Sequence, residues 1–544
     1  MRGERHISYN PQNPINTSTE VATVVSPPGS QPPDRTGTTT KKKTSRRRSV
    51  WGGRTFRFNL SSFRPGRDLS VRRFSVVEAA FILMLGLLVS RALGVVRQII
   101  FSALFGTGPA AAAYVVSSNL PDTLFNLIAG GALTNAFVPI FLSYEKNKGE
   151  MEAWRLTSLV FNVLLVAITL VVTVAEFLTP AYVSNILIRG YPEIQPLTTS
   201  LTRIMLVQTL ILGVGTVATG VLNSKRQFLL PAVSIAVYNF GVIGGLLVTK
   251  MVPGVGIYGP TYGVVAAAIL QTIILFPALF KQGMRYSFVW NLRDPGLREI
   301  LRLLLPSALA TGVSYVGVLA GVFFSSYLTD RDSIAALHYA DMLQALPAAL
   351  IGQAISQSLL PHLAVQAAAG RYIRMRQTAL KVIGISILIT VPAAIVLAVA
   401  GQPLIHLLFQ HGAFTQHSSD LTNLALLGYV CTLPGQAGGV LLSSAFFALK
   451  DARTPFLTNT YALVSRWGML YLLFHLLAGS PFMILAVPLA SVWSSTSESV
   501  ILCVLLLLRL RKYIKQDKGM QRLQRYRLYL QGLRQQTLAV EHSD

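Results

Sequence analysis

Among the ionisable side chains inside long apolar runs, Arg91, Arg97, Asp122, Asp341, Arg466 and Glu498 carry the most chemistry. A charge at membrane depth is costly unless it meets water, an opposite charge or a ligand, so each is a functional candidate. Arg91 stands about fifteen residues into its run, roughly 22 Å along a helix. Arg97 stands near the far end of the same run. Both are placed to meet an anion in a water-filled cavity; snorkelling to the outer interface competes with this, more strongly for Arg97. Arg466 and Glu498 fall on consecutive runs at the same depth, roughly 15–16 Å from one face. That allows a buried ion pair, and a substrate-binding or coupling role stays open beside it. Asp341, in HYADML, suits a proton or cation relay or a helix–helix hydrogen bond.

Asn119, Asp122, Asn126, Thr134 and Asn135 make a second apolar run unusually polar. With Pro121 and Gly130–Gly131 they predict a broken, cavity-facing helix whose freed carbonyls need neighbours. Close helix packing explains the glycines equally well. His406, His411 and His417 share a connection at spacings that match no familiar zinc pattern, and read as loop histidines. Cys431 and Cys503 both fall in apolar runs, away from any disulfide or metal pattern. The sequence offers no phosphate-binding glycine loop, nucleophile elbow or paired catalytic carboxylates. Neither catalytic residues, metal nor cofactor are expected.

These residues need apolar helices to hold them. Only 13% of the 544 residues are charged and 52% are hydrophobic, where a soluble chain carries about 25% charged. Residues 1–73 hold 15 Lys/Arg against 4 Asp/Glu, and residues 509–544 hold 9 against 3. The basic character therefore sits in the flanks, which argues against a nucleic-acid-binding surface. The first flank, rich in Pro, Ser, Thr and Gly, is expected to be disordered. Its KKKTSRRR stretch reads as a juxtamembrane polybasic segment. The second carries an amphipathic pattern (Met520, Leu523, Leu530, Leu533) suited to a membrane interface. Between them twelve spans are expected: 75–97, 110–139, 155–178, 197–222, 228–250, 257–280, 302–327, 334–361, 379–400, 419–447, 455–478 and 481–508. With a cytoplasmic N-terminus the inner loops carry sixteen Lys/Arg and the outer loops only Arg189, Lys250 and Arg331. That bias supports the orientation and an even number of spans.

GGALTNAFVP at 130–139 recurs as GQAISQSLLP at 352–361, and VLNSKRQFLLP at 221–231 is echoed by FALKDARTP at 447–455. Lys225 and Lys450 lie at nearly the spacing of the first pair. Both echoes relate spans one to six to spans seven to twelve in the same orientation. The fold class that follows is an all-α polytopic membrane protein of about twelve transmembrane helices. They form two six-helix lobes related by a pseudo-two-fold along the membrane normal. The expected domains are a tail (1–73), an N-lobe (74–282), a C-lobe (283–508) and a second tail (509–544).

SRALGVVRQ (90–98), LFGTGPAAAAYVVSSNLPD (104–122), AGGALTNAFVP (129–139), HYADMLQALP (338–347), LFQHGAFT (408–415) and ALKDARTP (448–455) resemble the MurJ/MviN lipid II flippases. These belong to the multidrug/oligosaccharidyl-lipid/polysaccharide exporter superfamily of bacteria. The resemblance covers roughly 74–508. It implies a transporter of the cytoplasmic membrane that moves the undecaprenyl-diphosphate-linked cell-wall precursor outward by alternating access. It also implies that Arg91 and Arg97 receive the diphosphate; a guanidinium fork suits phosphate oxygens. The substrate-binding candidates are Arg91, Arg97, Asn119, Asp122, Asn126, Asn135, Asp341 and Arg466. The chain departs from the family pattern at Gln98, Ala112, Phe125, Asn126 and Met342, each standing where a charge is expected. Many members also carry two further C-terminal helices, whereas here the chain turns polar after Leu508. The alternatives are export of another polyprenyl-linked glycan or an amphipathic drug, and a non-transporting scaffold for cell-wall synthesis proteins. Anionic lipids at the basic tails are the other expected partners, and no nucleic acid.

Overall fold

The computed structural model describes the backbone of residues 76–128 and 132–541. The basic stretch 1–73 and Gly130–Gly131 lie outside the described residues. Every regular element within them is helical, with no strand. The first half comprises α1 (Val76–Phe105), α2 (Pro109–Ser117), α3 (Asn119–Ile128), α4 (Ala132–Lys148), α5 (Glu150–Tyr182), α6 (Gln195–Ser224), α7 (Leu229–Met251), α8 (Tyr258–Ile273) and α9 (Phe276–Lys281). The second comprises α10 (Pro295–Ser325), α11 (Ser333–Ala348), α12 (Ala354–Ala368), α13 (Tyr372–Phe409), α14 (Gln416–Val430), α15 (Leu433–Ala448), α16 (Arg453–Leu476) and α17 (Ala486–Glu541).

Every expected span coincides with one of these helices or with a broken series of them. Among the described residues seven helices are long and apolar enough to cross a membrane, and an eighth if α14 and α15, bent by 41°, form one span. The other expected spans fall on α2–α4, α10, α11–α12 and α16, which are interrupted or carry polar residues at depth. α17 runs without a break into the basic stretch, so the amphipathic segment continues the last span; its side chains beyond Gln516, Leu528 excepted, lie outside the described set.

Helix pairing repeats between the halves. α1 packs on α7 as α10 packs on α16; α7 packs on α8 as α16 packs on α17. α5 packs on α6 as α13 packs on α14 and α15, and α6 on α8 as α15 on α17. Inside a bilayer the hydrophobic effect does not drive such pairing, so close van der Waals contact must. Gly241 and Gly245 of α7 face Gly259 and Gly263 of α8 closely enough that a Cβ on Gly245 would stand 2.8 Å from the Gly263 Cα.

The second copy of the repeated ten-residue phrase begins within a π turn, Ala349–Gln353, between α11 and α12, while the first two residues of the other copy lie outside the described set. The second echo holds, with a register shift of one. Arg226 (φ 59°) and Lys450 (φ 58°) are the two non-glycine residues of positive φ among the described residues. Each sits in the same turn, where Gln227 N donates to Leu222 O and Asp451 N to Phe446 O. Lys450 therefore matches Arg226, not Lys225.

Candidate functional site

α1 carries Arg97 deeper than the sequence suggests. The run QIIFSALF has no helix-stopping residue, so α1 continues to Phe105 and ends at Gly106, which takes φ +56°. Arg97 thus lies about 12 Å, eight residues, short of the helix end, and the expectation that it sits at the outer end is corrected. It lines a cavity of about 150 Å³ with Tyr114, Asp122, Gln208, Tyr238 and His338. Five of these six residues come from the first half, and His338 comes from α11 of the second. The charge of Arg97 acts on both Asp122 and His338.

The cavity wall is a hydrogen-bonded chain. The Tyr238 hydroxyl donates to Gln208 Oε1 at 3.0 Å, and Gln208 Nε2 donates to Asp122 Oδ1 at 3.4 Å. The helix break beside it is satisfied locally. Asn119 Nδ2 donates to the Val115 and Val116 carbonyls at 3.1 Å each, and Thr209 donates to the Pro121 carbonyl at 3.2 Å. Asn126 folds back on the Asp122 carbonyl at 2.8 Å. Asn119 and Asn126 therefore spend their donors on the broken helix, while Asp122 remains exposed to the cleft. The corresponding position of the second half, Gln344, is buried and bonds Thr432 and Gln436 at 3.0 Å each. The scaffold repeats, and the carboxylate does not.

The remaining candidates are dispersed. Arg91 lies exposed on α1. Asn135 is on α4, and its side chain and that of Thr134 lie outside the described set. Arg466 turns toward α10, where a Cβ on Gly321 would come within 3.2 Å of its guanidinium and one on Gly317 within 4.0 Å. Tyr429 and Asp341 are the polar groups electrostatically coupled to it. Arg466 Nε is buried without a hydrogen-bond partner. No ion pair joins Arg466 to Glu498 among the described residues. Equal depth did bring them onto packed helices, but Arg466 points along the glycine face of α10 instead. Arg203 and Glu176, which the sequence reading passes over, pair at 3.7 Å between α6 and α5.

The halves are clasped at one end. Tyr339 donates to the Gly106 carbonyl at 2.9 Å, Ala413 N to the Ala103 carbonyl at 2.9 Å, and Thr107 meets Ser418 at 2.7 Å. Arg331 donates to the Gly190 carbonyl at 3.1 Å and lies 4.1 Å from the Tyr191 ring centroid. His417, read as a loop histidine, pairs with Asp330 at 2.7 Å beside this clasp. Gln98, where an acid was expected, is buried. At the opposite end each half is pinned internally. Lys225 meets Glu145 and Glu150, and Asp451 meets Arg509. Burial opposes the Lys225 charge, but its two carboxylates outweigh it and raise its pKa.

Residues 101–530 match the family described as lipid II flippase MurJ. The chain belongs to that family. It is 28% identical over 417 residues to the probable lipid II flippase MurJ of Rhizobium meliloti, covering 75% of this chain and 76% of that one. It is also 28% identical over 379 residues to the lipid II flippase MurJ of Burkholderia cenocepacia, covering 68% and 72%. Among solved structures, lipid II flippase MurJ in an inward closed conformation superposes with a TM-score of 0.67 at 23% identity, covering 79% of this chain and 87% of that one. An inward-facing multidrug resistance MATE family transporter superposes at 0.68 with 14% identity, covering 78% and 96%. The all-helical MurJ fold and the membrane-spanning character of the chain are thus established. The family segment includes the Arg97 cavity wall from Phe101 onward and both clasped loops.

Proposed function

We propose that the chain flips lipid II, the undecaprenyl-diphosphate-linked peptidoglycan precursor, across the bacterial cytoplasmic membrane by alternating access. The observation that carries this reading is the Arg97 cavity in a chain of the MurJ family. A guanidinium stands at membrane depth in a polar pocket built by one half and completed by His338 of the other. Phosphate oxygens are the anion best matched to a guanidinium fork. Asp122 serves as its resting counter-charge, and the entering diphosphate takes over that role. Arg91 and Arg466 supply further cationic contacts along the cleft. Asn119, Asn126 and Asn135 shape its polar wall, and Asp341 balances Arg466.

Both basic termini lie in the cytoplasm on this reading, as the distribution of Lys and Arg favours. The Gly106–Ala413 clasp is then the closed outer gate, and the molecule is inward-facing. The lobes are 74–282 and 283–508, with the two copies of the repeated phrase on opposite walls of the inner opening. The basic tails hold anionic lipid.

Growth of a flippase-depleted strain is the test. The chain restores it, and Arg97→Gln made to the same level does not. Rescue by Arg97→Gln would remove the diphosphate role. A second reading, export of another polyprenyl-linked glycan or an amphipathic drug, draws on the thin charge at Ala112, Asn126 and Met342. Under it the intact chain fails to rescue.

A further inference from the structure

Between α13 and α17 lies a groove of about 460 Å³ that shares no residue with the Arg97 cavity. Leu380, Val504, Leu507 and Leu508 form its floor, and Arg376 and Arg511 stand at its rim. The polarity is ordered along the helices. Arg376 precedes Leu380 by one turn, while Arg511 follows Leu507 by one turn on a helix running the other way. Both guanidiniums therefore mark the same end of the groove, with about 10 Å of apolar floor beyond them. Neither arginine has a hydrogen-bond or ion-pair partner among the described residues, whereas Arg509 nearby is occupied by Asp451. Arg371, Arg374, Lys381, Lys512 and Lys515 add positive charge, and residues 371–381 and 504–515 contain no acid. Tyr372 and Tyr513 stack at 5.0 Å beside it, at the level where aromatic rings mark the headgroups.

We propose that this groove holds one anionic phospholipid, its phosphate between Arg376 and Arg511 and an acyl chain along Leu380, Val504 and Leu508. A zwitterionic lipid would cover the same apolar floor but brings a choline against the two guanidiniums. The charge pattern therefore selects an anionic headgroup. The site is distinct from the attraction of the tails to a charged surface, because it needs both the apolar floor and the paired arginines.

The test is native mass spectrometry of the full chain released from nanodiscs of equal phosphatidylglycerol and phosphatidylcholine. One phosphatidylglycerol stays bound to the intact chain. The Arg376→Gln/Arg511→Gln variant retains it about thirty-fold less, as two interfacial charges imply. Leu508→Trp, which fills the floor and keeps the charge, also lowers retention. A control pair off the groove, Arg371→Gln/Lys515→Gln, leaves it unchanged. The proposal is overturned by equal retention of phosphatidylcholine, by an equal loss in the control pair, or by unchanged retention in the arginine variant. The readout is lipid occupancy, so it is independent of whether the chain flips lipid II.

Discussion

The Tyr339 hydroxyl, on α11 of the second half, donates to the backbone carbonyl of Gly106 at the end of α1 in the first, at 2.9 Å. Both residues are in motifs that resemble the family, and their contact is where the halves meet. Around it Gly106 and Gly412 take φ of +56° and +60°. A Cβ on Gly106 would run into the Ala413 carbonyl, and one on Gly412 into the Ala103 carbonyl.

On the proposed orientation, weakening this clasp should open the outer side. Tyr339→Phe removes one buried hydrogen bond, about 1 kcal/mol, or roughly a fivefold shift in the balance between closed and open states. Gly412→Ala adds about 1–2 kcal/mol of left-handed strain. A cysteine placed at Ser418 should be labelled faster by a membrane-impermeant maleimide in both variants. Unchanged labelling would mean that the clasp does not hold the closed state.

Arg466 and Asp341 should be coupled, and Arg466 and Glu498 should not. In a double-mutant cycle on detergent-solubilised protein, Arg466→Gln and Asp341→Asn should show an interaction energy of about 0.5–3 kcal/mol. Arg466→Gln with Glu498→Gln should be additive. The reverse pattern of thermal stabilities would restore the ion pair expected from depth alone.

Asp451 anchors the start of α16. It accepts from Arg453 N at 3.0 Å, Thr454 N at 3.1 Å and Thr454 Oγ1 at 2.6 Å, and it pairs with Arg509. Burial pushes its carboxyl up, but these hydrogen bonds and the Arg509 charge outweigh burial and hold it below the ordinary carboxylate range. A depressed folded-state pKa stabilises above the unfolded value and is lost as pH falls through the folded one. Asp451→Asn should therefore cost about 1–2 kcal/mol at pH 7 and progressively less below about pH 4. Melting temperatures of both proteins across that range check this; a constant difference would refute it.

The α7–α8 contact should tolerate no bulk. Gly245→Leu should lower the melting temperature and yield of folded protein, at a cost of about 1–3 kcal/mol or more from overpacking. Gly244→Leu, where a Cβ meets nothing within 4 Å, is the control. Equal effects would show that helix propensity, not packing, decides.

How far the sequence carried these features follows from what each depends on. The break between α2 and α3 was readable because Pro121 and the clustered carboxamides act locally. The π turn between α11 and α12 was not, since 334–361 reads as one apolar run. The end of α1 was not, since the residues after Arg97 stay apolar and only Gly106 stops the helix. The second echo was read one residue out of register because matching the lysines by identity hides that positive φ falls on Arg226 and Lys450. The place of Arg466 midway along its helix was legible from the apolar run around it. Its direction was not, because it depends on the glycine face of α10. Gln208, Tyr238 and His338 escaped notice as neutral residues, although a carboxamide in the middle of an apolar run was the available signal for Gln208.

On the proposed function, Arg97 in its cavity serves lipid II transport. The direct measurement is the amount of lipid II exposed on the outer face of flippase-depleted cells, read by an externally added enzyme that cleaves it. The intact chain should restore exposure, and Arg97→Gln at matched membrane abundance should leave lipid II inside. Exposure by the Arg97→Gln variant equal to that of the intact chain, or none by either, would contradict the account.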